Sequence, residues 1–520
     1  MRINILFNFL KEHTLFPKLS KWIFFLLLIV FSLIYNYQNI LFLAPQSLHQ
    51  WRQADCLSIT LNYYQDHNPF LQPAIHNLGS DGSGKTISEF PLIYYTVAQL
   101  FKVFGYHEFI YRLLNLSIFF CGLFALFKIF ENTLKESFYA IVLSLFLFTS
   151  PMIVYYANNF LMNSTALSLA FIGLYFFYRF FKESKNKDLY LMTLFFSLAG
   201  LLKITSLLSF IAIFGVFVIE LLNIKLLPDR KIFQYPKRQI FPLLAVFLIQ
   251  IIWYSYANSY NAKYNSGIFL IGILPIWKLN TFQIKEIISA IIDHIKWDYF
   301  RRETELIFLI MFLSLFVFYK KSNKLLLFLT FTISIGFILF ILLFFQALKD
   351  HDYYTLDMSI LIPFIILAFF VFLKNNFRKV FNSLLLKIIV LSFLIHNIDF
   401  ARRRIRDRYS SGGWQNENYI KYVKIFEEIT PYNRSLGIRP DDKVLSLSDQ
   451  SINISLYLMN QKGWTNYGMI SSDSNKIKET IKLGAKYLFI YNKEIYKEKN
   501  ITPFINNKIG EFGKVDIYKL

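Results

Sequence analysis

Residues 22–43 read WIFFLLLIVFSLIYNYQNILFL. A helix needs about 20 apolar residues to cross the hydrocarbon of a bilayer, and this run has that length. It is too long for the core of a signal peptide and carries no small-residue cleavage site, so an uncleaved anchor is expected. Similar runs follow at Tyr111–Phe130, Phe138–Tyr156, Leu161–Phe181, Leu189–Leu202, Ser206–Leu222, Ile240–Ala257, Leu306–Tyr319, Leu325–Leu348, Leu356–Leu373 and Leu384–Ile398. That predicts about 11 spans. The stretch Leu189–Leu222 is too long for one span and should form two short helices folding back at KITS (203–206).

The bulk composition agrees. Of 520 residues, 55% are hydrophobic and 19% aromatic, with only 17% charged, and the mean hydropathy is +0.40. These values belong to a multispan α-helical membrane protein. The formal charge of +21 would suit nucleic acid, but Lys and Arg stand in short clusters between apolar runs. That pattern sets membrane topology and does not build a DNA-binding face. Two widely separated cysteines, Cys56 and Cys121, form neither a disulfide framework nor a thiolate metal site.

Lys11, Lys18 and Lys21 place the N-terminal segment, 1–21, in the cytoplasm. Counting spans from there leaves KESKNK (182–187), KLLPDRKIFQYPKR (225–238), KKSNK (320–324) and KNNFRK (374–379) inside. RRRIRDR (402–408) falls outside, against the rule, but long translocated domains obey it weakly. The membrane part is therefore 22–400, with an outer loop over 44–111. After it, 401–520 mixes helix-like ENYIKYVKIFEEI and NKIKETIKLG with strand-like KVLSLS, KYLFIYN and KVDIYKL. A small extracytoplasmic α/β domain is expected there.

The polar residues of the outer face carry the chemistry. SLHQWRQADCLSIT (47–60) crowds His49, Trp51, Arg52 and Asp55 just beyond the first span. Its spacing predicts an amphipathic helix at the outer interface, with Arg52 and Asp55 on one face. An interfacial anchor accounts for Trp51 and Arg52. It does not account for Asp55, because a carboxylate at the lipid boundary is costly unless paired or used. Glu89 precedes Pro91, which opens a helix too short to span. Glu89 either caps that helix or serves a site. KDHDYYTL (349–356) offers His351, Asp352, Tyr353 and Tyr354 as ligands or phosphate contacts, or as an aromatic belt. Lys203 is the clearest charge in an apolar hairpin, and an intramembrane lysine seeks an anion. Arg301 and Arg302 add positive charge, or merely snorkel. GSDGSGKT (79–86) fits the nucleotide-loop pattern letter for letter. It lacks the preceding strand and following helix that such a loop requires, so turns are expected and no ATP.

Carboxylates beside cations at a membrane surface suit a lipid-linked phosphate substrate. The early outer-loop Asp, the Glu-x-Pro before a surface helix ending LFKVFG, and the motifs HQWRQAD and HDYY resemble the GT-C superfamily of polyprenyl-phosphate-dependent glycosyltransferases. Within it they are most similar to the protein O-mannosyltransferase and aminoarabinose transferase group (family 39-like). The resemblance covers about 22–400 and is best in 45–113. It implies a GT-C fold in an inner (plasma) membrane and a polyprenyl-phosphate-sugar donor, with a lipid, glycan or protein acceptor. Asp55 becomes the catalytic base or acceptor-orienting acid. Glu89 becomes a second catalytic carboxylate able to hold a divalent metal, with His351 a further metal candidate. Substrate and phosphate contacts fall to His49, Arg52, Lys203, Arg301, Arg302, His351, Tyr353 and Tyr354. Two departures stand out: Phe90 follows Glu89 where relatives often have Lys, and the first loop has a single acid where a pair is usual. The competing class is a transporter, flippase or polymerase of lipid-linked glycans, which should carry ionisable groups near mid-membrane in several helices. A membrane-anchored scaffold would need only one span.

Overall fold

A computed structural model of the chain describes residues 19–520 except 225, 228, 229, 270, 271, 411–416 and 418; of 294–296 it describes only the backbone. The expectations placed on Lys11, Lys18 and residue 225 lie outside these. The chain forms two units. One comprises the residues up to Leu41 with Arg112–Trp253 and Gly272–Arg406; the other comprises Phe42–Tyr111, Tyr254–Ile271 and Asp407–Leu520. The early outer loop, assigned from sequence to the membrane part, thus belongs with the C-terminal residues.

Every expected span coincides largely with helix, Trp22–Leu43 as Ser20–Ile34 and Tyr37–Ile40. Seven helices among the described residues are long and apolar enough to cross a membrane, and eight if a bent pair counts as one. The seven are Phe109–Leu134, Asn163–Glu183, Ile204–Leu221, Pro236–Lys263, Lys324–Leu343, Asp352–Asn376 and Leu384–Tyr409. Ser20–Ile34 ends well before the expected Leu43, and Asn186–Leu202 and Arg302–Val317, though they cover most of their expected runs, have only 17 and 16 residues. The bent pair, Ser137–Thr149 and Pro151–Ala157, turns by 82°. Pro151 explains the break: it lacks an N–H and pushes Ser150 into an extended conformation (ψ 125°). A second break falls at Lys203, extended between two helices (φ −150°, ψ 115°), where the sequence predicted a turn. Small residues let the helices approach closely. A Cβ at Gly122 would lie 2.6 Å from Ser168, and one at Gly173 would meet the Phe196 ring at 3.0 Å.

The second unit is built on a five-stranded sheet: β1 Lys443–Ser446, β2 Gly463–Thr465, β3 Ala485–Ile490, β4 Lys508–Phe512 and β5 Val515–Lys519. The order is β2-β1-β3-β5-β4. β1 pairs in parallel with β2 and β3, while β5 runs antiparallel to β3 and β4. Strand alternation feeds two cores. Leu445, Trp464 and Leu488 face one, and Val444, Phe489 and Ile517 face the other. The outer loop docks on the β2 edge: Leu78 N–H donates to the Gly463 carbonyl (2.8 Å), and Gly463 N–H to that of His76 (3.0 Å). Leu78 also enters the first core. Gly463 is required by space, since any Cβ there would overlap the Val444 carbonyl oxygen.

Candidate active site

SLHQWRQADCLSIT does form a helix, Gln50–Gln65, entered through His49 in the left-handed region (φ +51°). It is not an amphipathic interface helix. Every residue from Gln53 to Tyr63 is buried, because Leu92–Phe104 and Ile454–Leu458 pack on it. Trp51 alone matches the anchor expectation, at 46% exposure.

Arg52 and Asp55 share a face as predicted, with Arg52 Nη1 3.8 Å from Asp55 Oδ2. Arg52 Nη2 bonds Glu89 Oε2 more tightly, and the guanidinium lies over the Phe269 ring at 4.8 Å. Glu89 joins the cluster through Oε2. Its Oε2 accepts from Arg52, from Ser88 Oγ (2.5 Å) and from the Tyr94 hydroxyl (2.8 Å). Asp55, 1% exposed, accepts through Oδ1 from Asn453 Nδ2 of the C-terminal domain. Burial pushes the Asp55 carboxyl up to about 7, with Glu89 and Asp449 adding to the rise and Arg52 and Asn453 opposing it. A carboxylate that titrates near neutrality is matched to general-base work. Cys56, one turn along, lies 3.7 Å from the Tyr94 hydroxyl.

The surroundings of Glu89 do not suit a metal ion. Glu89 Oε2 is crowded by a guanidinium and two hydroxyls, the wrong company for a hard cation that wants several anionic or carbonyl oxygens. Among the described residues no three His, Cys, Asp or Glu side chains come together, so neither Glu89 nor His351 belongs to such a group.

A second polar cluster belongs to the first unit. Lys203 Nζ sits 5.9 Å from the Tyr353 ring centroid and acts electrostatically on buried Asp357. The Thr205 and Ser206 hydroxyls, just past the break, both donate to Asp357, Ser206 at 2.8 Å. The anion that Lys203 was expected to seek is thus partly supplied by the chain itself. HDYY stacks: Tyr353 and Tyr354 have centroids 5.1 Å apart, and His351 lies 5.3 Å from Tyr353. Asp352 accepts from the Tyr156 hydroxyl at 2.5 Å, and Asn163 Nδ2 donates to the Tyr353 carbonyl. Arg301 pairs elsewhere, with Glu303 at 3.4 Å and with His396, and Arg302 is exposed at a helix start.

The GSDGSGKT stretch makes turns. Gly79, Gly82 and Gly84 have φ of +65°, +75° and +69°, and a Cβ at Gly84 would press the Ile75 carbonyl at 2.6 Å. Lys85 pairs with Ala74 in an isolated bridge, its Nζ donates to the Tyr264 hydroxyl at 3.3 Å, and the next helix after the loop begins only at Leu92. The loop lines a cavity of about 610 Å³ with Tyr264 and Trp464, which Arg52, Asp55 and Glu89 do not reach.

Sequence reading missed Ser88, Tyr94, Asn453, Asp449 and Asp357. Tyr94 had a signal, since Tyr94, Val97, Ala98 and Phe101 form the buried stripe of an amphipathic helix. Asn453 had none, being 398 residues from Asp55.

Comparisons with known proteins agree with this architecture. The profile of the dolichyl-phosphate-mannose-protein mannosyltransferase family matches residues 88–254. No curated protein matches the chain. Among solved structures, ArnT from Cupriavidus metallidurans bound to undecaprenyl phosphate superposes with a TM-score of 0.58 at 9% identity, covering 96% of this chain and 98% of that one. ArnT from the same organism in the apo state gives 0.53 at 10% identity with the same coverage.

Proposed function

We propose that this chain, a glycosyltransferase of GT-C fold, moves a sugar from a polyprenyl-phosphate donor to a hydroxyl of a lipid, glycan or protein at the outer face of the inner membrane. The carrying observation is Asp55: buried, held between Arg52 and Asn453, with its carboxyl near neutral pH. Asp55 takes the proton of the acceptor hydroxyl as its oxygen attacks the anomeric carbon. The bond from that carbon to the phosphate oxygen breaks, and polyprenyl phosphate leaves. Its phosphate gains one negative charge in doing so, so a cation at the leaving oxygen lowers the barrier. Within the first unit, Lys203 beside the stacked Tyr353 and Tyr354 is a cation of the kind that binds a phosphate. Arg52 is reassigned: its engagement with Glu89 and Phe269 supports a role in holding the base rather than in gripping the donor.

The profile match and the undecaprenyl phosphate in a protein of the same fold support the donor class. The alternation of basic loops supports a cytoplasmic N-terminus and an exported C-terminal domain. A reporter fused after Leu520 tests that orientation, and activity confined to the cytoplasm contradicts it. The function itself is tested by mass spectrometry of envelope glycans in a strain lacking the gene. One glycan should disappear and return with the wild-type gene but not with Asp55→Asn. An unchanged glycan profile sinks the proposal.

A further inference from the structure

We infer that Asn453, carried by the C-terminal α/β domain, is the positioning residue that orients the Asp55 carboxylate, which makes that domain part of the reaction apparatus. Calling Asp55 the base rests on the function proposed above; the positioning itself does not.

The argument begins with how firmly Asn453 is held. It is fully buried and stands at the entrance of the Ile454–Leu458 helix, which packs on the Gln50–Gln65 helix. The loop before it is tied at nearly every polar atom. Asp449 accepts from the Ser451 N–H (2.8 Å), the Ser455 N–H (2.8 Å) and the Ser455 hydroxyl (2.6 Å). Ser451 Oγ accepts from the Ile454 N–H at 2.9 Å. Thr465 Oγ1, on β2, donates to the Ser451 carbonyl at 2.6 Å. Asn77 Nδ2, on the outer loop, donates to the Ile452 carbonyl at 2.7 Å. A loop fixed from both sides gives its side chain one place to be, and Asn453 Nδ2 spends that place on Asp55 Oδ1.

The chemistry favours an amide at this position. Asp55 must be a carboxylate to take a proton, and burial disfavours that form. A second buried cation would bind the carboxylate so well as to spoil its basicity. A neutral N–H donor stabilises the charged form modestly and fixes one oxygen, leaving Oδ2 towards Arg52 at 3.8 Å. Other titratable groups also face this helix. Arg52 and Cys56 lie on it, Glu89 and Tyr94 come from the segment around Pro91, and Asp449 comes from the C-terminal loop. Glu89 and Asp449 push Asp55 towards protonation, so loss of the Asn453 donor leaves Arg52 alone to oppose burial and both carboxylates.

The test is an infrared pH titration of the full chain in lipid nanodiscs, which needs no substrate. The carboxyl stretch of protonated Asp55 is assigned by its absence in Asp55→Asn. Asn453→Ala should move the titration midpoint up by about one to two pH units, the shift expected for losing a hydrogen bond to a charged group. Asn453→Ser, which keeps a donor, should restore part of it. If Asn453→Ala accumulates poorly, Asn453→Asp keeps the shape and sets a second carboxylate against Asp55, so the midpoint again rises. A midpoint unchanged in a folded Asn453 variant overturns the inference. Should the midpoint shift while Asp55→Asn still transfers sugar, the positioning stands and the assignment of Asp55 as base falls.

Discussion

The two units bury charge in different ways. In the second, Arg52, Asp55, Glu89 and Asn453 form a largely buried cluster of two acids, one cation and an amide, drawn from a helix, the segment before Pro91 and the C-terminal loop. In the first, Lys203 comes from a break between helices and Asp357 from the start of the Asp352–Asn376 helix, with hydroxyls and tyrosine rings around them. The first arrangement tunes a proton acceptor; the second holds positive charge beside donors that a phosphate can use. On the function proposed above, the second unit would handle the proton and the first would bind anions.

The sharpest way to break that contrast is Arg52→Ala. Removing the cation that pairs with both Asp55 and Glu89 strands them, at a cost of about 3–5 kcal/mol for a buried pair broken on one side. Melting temperature and yield should both fall, and transfer with them. A variant that folds and transfers normally would show that Arg52 is only a headgroup anchor. Lys203→Gln should fold well and instead weaken binding of undecaprenyl phosphate on the order of 10- to 100-fold, the worth of charge-assisted hydrogen bonds. Equal binding by wild type and variant would remove anion binding from the first unit.

A smaller effect concerns stability. The Asp55 carboxyl sits near 7 in the fold against roughly 4 when unfolded. The folded state therefore holds this proton more tightly, and the stabilisation is complete below about pH 4 and lost as pH rises through about 7. Asp55→Asn carries no such proton, so its melting temperature should fall less than that of wild type between pH 5 and 8. Parallel pH dependence in the two proteins would mean that Asp55 is not buried as described. Smallest of all, Lys85→Ala should change neither transfer nor lipid binding, because Lys85 pairs with Tyr264 in a turn. ATP hydrolysis lost in that variant would reinstate the nucleotide-loop reading.

Much of this was legible from sequence because membrane spans and short motifs are local. Long apolar runs became helices, the strands at 443–446, 485–490 and 515–519 coincide with β-like runs, and the spacing of Arg52 and Asp55 foretold their shared face. β2 escaped notice because it is three residues long and starts at a glycine. β4 escaped because Gly510 and exposed positions blur its alternation. The helix at Gln50–Gln65 was expected at an interface because its apolar residues are spaced for one side; its burial comes from the Leu92–Phe104 helix and from Ile454–Leu458, hundreds of residues later, which no local pattern reports. The same distance hid Asn453, and the reading of Glu89 as cap or site turned on Arg52, an ion pair formed across 37 residues.

The most direct test of the central claim is transfer itself. Wild type and Asp55→Asn, each reconstituted in nanodiscs, are given a polyprenyl-phosphate-sugar pool extracted from the native membrane together with native envelope acceptors, and release of polyprenyl phosphate is followed by mass spectrometry. The account predicts steady release by wild type and a rate about 10²–10⁴ lower for Asp55→Asn, the usual cost of deleting a positioned base, with lipid binding unchanged. Release by Asp55→Asn at the wild-type rate would contradict it.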